Sequence, residues 1–252
     1  MTAALKRPDI GDATTVALSR HRLGITAWPA LVLLAASATT GCQSSPVPDR
    51  PAARATASAA PAGKGTDCPA TQASGRKTGL ATAPEGVSWQ RFRTVAVPAS
   101  PALGPKKTSG DIARCYAHNP AGALLAACQI GTRLPLSPQW MTVAEEQTYG
   151  DGRDGYLGAR ARREAAPGPP SSPAPGEMLQ LAGFRFGSYS DQRAVISLAY
   201  RRPGGALIQA GTATVRWEGG ASGDWRYEIP GAPGPYQKLG SLKGYILWGA
   251  PE

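Results

Sequence analysis

Apolar positions fall into three regimes along the chain. The first is a nearly unbroken run, ITAWPALVLLAASATTGC, from Ile25 to Cys42, densest over Leu31–Ala36 and preceded by the basic pair Arg20 and Arg22. In the second, residues 43–85, Ala, Pro, Ser, Thr and Gly dominate and large apolar side chains almost vanish. The third begins near Gly86, where apolar residues recur with strand-like and then helix-like spacing. A segment with so little apolar surface cannot offset its own ordering entropy. The pattern therefore predicts a leader over 1–41, a disordered tether over 42–85 that holds the domain away from its anchor, and one folded domain over 86–252.

Within the domain, VSWQRFRTVAVP (87–98) is rich in aromatic and β-branched residues and reads as a first strand ending at Pro98. A Pro/Gly loop follows to Asp111. Three helices are predicted next, over 120–134, 138–148 and 153–165. Asn119 would cap the first, with Pro120 at its first turn, and Ser137 and Pro138 would play the same parts for the second. Residues 166–177, APGPPSSPAPGE, read as a loop. Strands are predicted over 178–190, 194–202, 206–219 and 224–230, separated by glycine-rich turns, with a short apolar segment at 244–249. A strand, then helices, then a run of antiparallel strands is an α+β order, with the N-terminal helices packed on one face of the sheet.

The leader changes the picture of where this domain works. A positive start, a short apolar centre and small residues before a break follow the plan of a secretory signal. The run is shorter and more interrupted than the roughly 20 residues of a comfortable membrane span. TTGC, with Gly41 before Cys42, looks like the lipobox of bacterial lipoproteins, in which the cysteine is acylated, although Thr39 stands where an aliphatic residue is usual. Lipidation at Cys42 is the preferred reading over an uncleaved membrane anchor or plain secretion. All three place the domain outside the cytoplasm, on the outer face of the cell membrane if anchored.

Net charge is +10, and four of the 27 basic and two of the 17 acidic residues lie in 1–41, so the remainder carries +8. Such a surface attracts anionic lipids, acidic wall polymers or nucleic acid. The arginines are scattered, without the interleaved aromatics of a nucleic-acid surface, so no nucleic-acid partner is expected.

The chemically suggestive stretch is RCYAHNPAGALLAAC, 114–128, with a histidine between two of the four cysteines. Zinc needs about four ligands in closely spaced pairs, and Cys115 with His118 has no second pair. A thiolate nucleophile needs a base and an orienting group within reach, and Asn119, the natural orienter, is better used as a helix cap. On a helix from Pro120, Leu124, Cys128 and Gly131 share one face, which makes Cys128 a small buried side chain. No metal, cofactor or catalytic residue is assigned, and the chain reads as a non-enzyme. With Cys42 lipidated, at most one disulfide forms among the remaining three thiols. Cys68–Cys115 is preferred to Cys115–Cys128, because Cys128 fits the core. Glu145 and Glu146 point about 100° apart on a helix and make no facing acid pair. ARARRE (159–164) reads as an exposed face. The tryptophans Trp89, Trp140, Trp217, Trp225 and Trp248, with Tyr200 and Phe186, read as core rather than ligand cavity.

Three stretches, GVSWQRF…VAVPAS…GP…DIARCYAHNPAGALLAA, LAGFRFGSYSDQRAVISLAYR and TATVRWEGGASGDW, resemble an actinobacterial family of exported, uncharacterised proteins in which an anchor or lipidation signal precedes one domain. The layout is also similar to the cone-shaped nuclear-transport-factor-2-like superfamily, through the NPAGA helix start and a late strand beginning DW. Extracytoplasmic members of that superfamily include assembly subunits of conjugation and type IV secretion machines. The resemblance implies helices set into the concave face of a curved, cone-like antiparallel sheet. It further implies a membrane-anchored accessory domain that binds a protein partner in the envelope. The alternative is a lipoprotein that holds a small apolar or cell-wall ligand in the cone cavity.

Overall fold

The computed structural model describes residues 68–167, 178–205, 208–232 and 234–251. The leader, Cys42 and the first part of the expected tether lie outside the described residues. The architecture is α+β: three helices and a mostly antiparallel sheet.

The expected first strand is a hairpin instead. β1 (Ser88–Phe92) and β2 (Val95–Ala99) pair antiparallel around the two-residue turn Arg93-Thr94. Arg93 sits at φ 56° there, without the glycine or asparagine that normally announces such a turn. The following loop hides a second hairpin, β3 (Lys107–Ser109) with β4 (Ile112–Arg114), turning at Gly110 with φ also 56°.

Helix α1 (Pro120–Leu136) begins where Asn119 Oδ1 accepts the Gly122 N–H at 2.8 Å. Only glycine fits at 122, because a Cβ there would lie 2.0 Å from the Ala117 carbonyl oxygen. That carbonyl is turned inward to accept the Trp225 indole N–H at 3.0 Å. Helix α2 (Trp140–Gln147) starts later than expected: Ser137 is the C-cap of α1, and its hydroxyl accepts from Gln139 N instead of capping α2. β5 (Thr148–Tyr149) and α3 (Arg153–Ala165) follow.

The large sheet runs in the order β11-β6-β7-β8-β9-β5, with β10 also paired to β8. Its strands are β6 (Gln180–Tyr189), β7 (Arg193–Arg201), β8 (Ile208–Glu218), β9 (Asp224–Glu228), β10 (Gln237–Leu239) and β11 (Ile246–Leu247). β7 covers one edge of β8, so β9 at Val215–Glu218 and β10 at Ile208–Ala210 share the other. Only β5 joins parallel, to β9. Strand periodicity aims alternate side chains at the core, and Ala194, Ile196 and Leu198 of β7 are buried there with Phe184, Val215, Trp217 and Trp225. Leu124, Leu125 and Ile130 of α1 belong to the same core. Burying each of these large side chains stabilises the fold by roughly 1.5–3 kcal/mol.

Residues 68–85, expected within the tether, lie against the domain. Thr71 N donates to Ala221 O at 2.8 Å and Ser74 N to His118 O at 3.0 Å, while a Cβ at Gly79 would strike the Phe186 ring. Among the described residues no helix is long and apolar enough to cross a membrane.

Candidate functional site

The segment that attracted chemical interest, Cys115–Asn119, is held from four sides. Cys115 is disulfide-bonded to Cys68. It adopts φ 68°, an unfavourable backbone state for a residue with a Cβ. Asp224, at the start of β9, accepts Cys115 N at Oδ2 (2.7 Å) and Tyr116 N and Trp225 N at Oδ1 (both 3.0 Å). Burial pushes the Asp224 carboxyl up to about 6, against the pull of those three N–H groups and of the nearby Arg114 charge. The buried carboxylate thus stabilises the left-handed turn that presents Cys115 to Cys68.

His118 is equally engaged. Its ring lies 3.7 Å from the Trp217 ring with an interplanar angle of 6°, and Trp225 meets it edge-on at 5.8 Å. Nε2 is 2.6 Å from the Asp191 backbone carbonyl, which only accepts, so Nε2 carries the proton. Ser74 Oγ and Tyr189 OH both donate to the Asp191 carboxylate, at 3.2 and 3.1 Å. A serine, a histidine and an aspartate are therefore close together, but the serine faces the acid and the histidine faces a main-chain oxygen. A nucleophile activated by its base requires the serine–histidine contact. This wiring ties residues 68–85 to the sheet.

Cys128 is a buried free thiol on α1, and desolvation pushes its ionisation far above the usual range. From His118 the aromatic rings run continuously through Trp217, Trp225, Tyr189, Phe186 and Phe184 to Trp248 and Trp89, neighbouring centroids 3.7–6.3 Å apart. Trp140 stands apart, edge-on to Tyr156 at 6.3 Å. Glu146 pairs with Arg114, and Arg160 of the ARARRE run reaches back to the end of α1 instead of facing solvent alone.

Several clefts open on the surface of the described residues. One of about 720 Å³ lies by the β1–β2 hairpin, with Trp89 and Arg91 in its wall. One of about 520 Å³ separates α1 from the sheet and is lined by Val95, Leu136, Met178, Tyr200 and Tyr236. A third, about 360 Å³, adjoins the disulfide. Desolvation raises the Tyr200 hydroxyl in the wall of the second cleft, and pushes the buried Tyr227 hydroxyl up to about 12. Among the described residues no group of three or more His, Cys, Asp or Glu could hold a metal ion.

Sequence reasoning overlooked Asp224, Asp191 and Ser74. A lone acid between a glycine-rich turn and a tryptophan, as in GASGDW, was the available signal for Asp224. Ser74 and Asp191 meet across 117 residues of sequence, which no local pattern marks.

A family model described as a domain of unknown function (DUF8175) matches residues 47–247. No curated protein and no solved structure gives a significant match.

Proposed function

We propose, for a chain that belongs to the DUF8175 family of domains of unknown function, that it is a membrane-anchored, extracytoplasmic, non-enzymatic domain. On this reading it binds a protein partner as an accessory subunit of an envelope or conjugation system. The carrying observation is the use made of its reactive side chains. Asp224, His118, Ser74 and Cys115 all serve to fix the 68–85 segment and the start of α1. A disulfide in that role suits an oxidising compartment. The likeness to the cone-shaped superfamily belongs to the same reading, with α1 filling the concave side of the sheet. So do the leader over 1–41 and acylation at Cys42.

Crosslinking in cells, followed by membrane purification and mass spectrometry, tests the partner. Envelope or conjugation components should be recovered with the whole chain and lost when 86–252 is deleted with the anchor kept. A partner-free protein sinks the reading. The apolar cleft between α1 and the sheet favours the second reading, a small apolar ligand, and such a molecule co-purifying with the protein would establish it.

A further inference from the structure

The core-facing side of the large sheet extends past the core itself. Along β7 the alternation that buries Ile196 and Leu198 continues to Tyr200 and, just past the strand, to Arg202. Along β8 it runs from Val215 and Ala213 to Gly211 and Gln209. Tyr200, Arg202, Gly211 and Gln209 therefore share one face, and three of them, Tyr200, Arg202 and Gln209, form one wall of the cleft of about 520 Å³ whose other wall is the end of α1. Glycines face this region from both sides. A Cβ at Gly211 would lie 2.9 Å from the Tyr236 ring, and one at Gly131 on α1 would lie 3.2 Å from the Tyr227 ring.

The lining is apolar along its length and cationic at one end. Val95, Leu136 and Met178 supply the apolar surface and pack with Phe92 in a small cluster of their own. Among the described residues Arg202 is the only charged one in the lining; it stands exposed at the turn after β7 and pairs with no carboxylate. Strand pairing adds a second cation: Tyr200, Gln209 and Lys238 stand in one row across β7, β8 and β10, so Lys238 shares the face of Gln209. A guanidinium fork takes a carboxylate through two parallel bonds, and each methylene laid on the apolar wall adds to affinity. We propose that this cleft binds a single-chain fatty acid, with its acyl chain between the end of α1 and the sheet and its carboxylate on Arg202, beside Lys238. The assignment rests on the apolar-ligand reading of the same cleft and adds the chemical class. The volume lies in the range of small-molecule sites. A neutral lipid would leave both cations unused.

The test uses the full chain in non-ionic detergent and a palmitate that carries a diazirine on its chain. Irradiation and peptide mapping by mass spectrometry locate the label, while unlabelled palmitate, hexadecanol and hexadecyl phosphate compete for the site. Label within 131–136 and 178–179, displaced about fivefold or more better by palmitate than by hexadecanol, supports the proposal. Arg202→Gln should erase that preference and leave the label in place, since the acyl chain keeps its wall. Arg202 is exposed, so this variant reads the site in a folded chain. Arg163→Gln on the exposed α3 makes the same change in net charge at a distance and should leave the preference within about twofold. Equal loss in the two variants would show general attraction to a basic protein and overturn the assignment. Displacement by hexadecanol as strong as by palmitate would overturn the fatty acid while the apolar-ligand reading stands. Stronger displacement by hexadecyl phosphate would assign the site to a phosphate lipid and overturn the fatty acid as well. Label outside the cleft, or none at all, would overturn both readings together.

Discussion

Helices α1 and α3 are of similar length but live in opposite surroundings. Of the 17 residues of α1, 13 are buried, including Gln129 and Arg133, whereas α3 buries none of its 13. α1 is held at every stage. Asp224 fixes the residues before it, Asn119 caps its start and Arg160, reaching over from α3, donates to Leu134 O and Pro135 O at its end. Even its buried polar groups are answered. Gln129 donates to Pro98 O and accepts from Arg133 Nε, while Arg133 donates to Asp111 O and lies 4.4 Å from the Phe92 ring centre. α3 has no side-chain cap bond, and its Tyr156 and Arg160 side chains donate to Leu134 O at the end of α1. Helical sequence alone says little about how much a helix matters. The surroundings of its faces and ends decide that.

The largest separation between the two helices should appear on truncating a core leucine. Leu124 is fully buried, so Leu124→Ala should cost about 2–5 kcal/mol, the transfer loss plus the cavity left in a close-packed interior. Leu157, half-buried on α3, should cost about 1 kcal/mol or less on the same change. Urea titrations of both variants measure the difference, and equal losses would break the contrast.

A pH titration sharpens the comparison at the turn before α1. The Asp224 carboxyl is pushed up to about 6 from an ordinary value of 3.8, chiefly by burial. Between about pH 4 and 6 the folded chain therefore keeps a proton that the unfolded chain releases. Stability contributed by this group is greatest below about pH 4, falls as pH rises through that window, and is level above it. Roughly two pH units at 1.36 kcal/mol each sets the scale at about 3 kcal/mol. Asp224→Asn removes the titrating group. Subtracting its profile from that of the native chain should leave a decline confined to the window, and a flat difference would refute the assignment.

Much of this frame was legible. Apolar and aromatic runs separated by turn residues marked β6, β7, β8 and β9, and Asn119-Pro120 marked the start of α1 for the steric and hydrogen-bonding reasons that operate there. The failures share a different cause. Arg93-Thr94 turns a hairpin without turn residues, β3 and β4 are three-residue strands of mostly polar composition, and residues 68–85 are held by main-chain bonds, the Ser74 hydroxyl and a disulfide, with Leu80 packed on the core. Ser137 carries a capping residue type but ends α1, since Gln139 and Pro138 form a turn before α2. What Asp224 and Asp191 hold was not legible, because Cys115 N and the His118 ring lie far from them along the chain.

Arg160 is where α3 touches the stability of α1 most directly. Its Nη1 sits 3.0 Å from Leu134 O and 2.7 Å from Pro135 O, its guanidinium 5.1 Å from the Trp140 ring, and its Nε 3.2 Å from Glu164. A cation on the last carbonyls of a helix satisfies open acceptors and complements the helix dipole. Arg160→Ala should cost about 1–2 kcal/mol, and Arg160→Lys somewhat less, because an ammonium keeps the charge but loses the planar fork. Hydrogen exchange should locate the loss in the last turn of α1. Loss confined to α3 would show that the contact serves α3 and not α1.

The smallest effects belong to the two helix starts, and here general preference and geometry disagree. Asn119→Ala removes the side-chain acceptor of Gly122 N and should cost about 1 kcal/mol, the usual worth of such a cap. At α3 the cap is Gly152, so preference for asparagine over glycine at this position would score Gly152→Asn as a gain of a few tenths of a kcal/mol. The local packing says otherwise: a Cβ at 152 would lie 2.0 Å from the Pro230 carbonyl oxygen, and Gly152 N is already bonded to Ile229 O at 3.0 Å. Main chain cannot yield there without pulling the start of α3 from the end of β9. Gly152→Asn should therefore lower the melting temperature, as Asn119→Ala does, although one variant loses a cap and the other acquires one. A rise at Gly152→Asn would mean that the approach of α3 to Pro230 is looser than its contacts require, and that the start of α3, like its outer face, is free to vary.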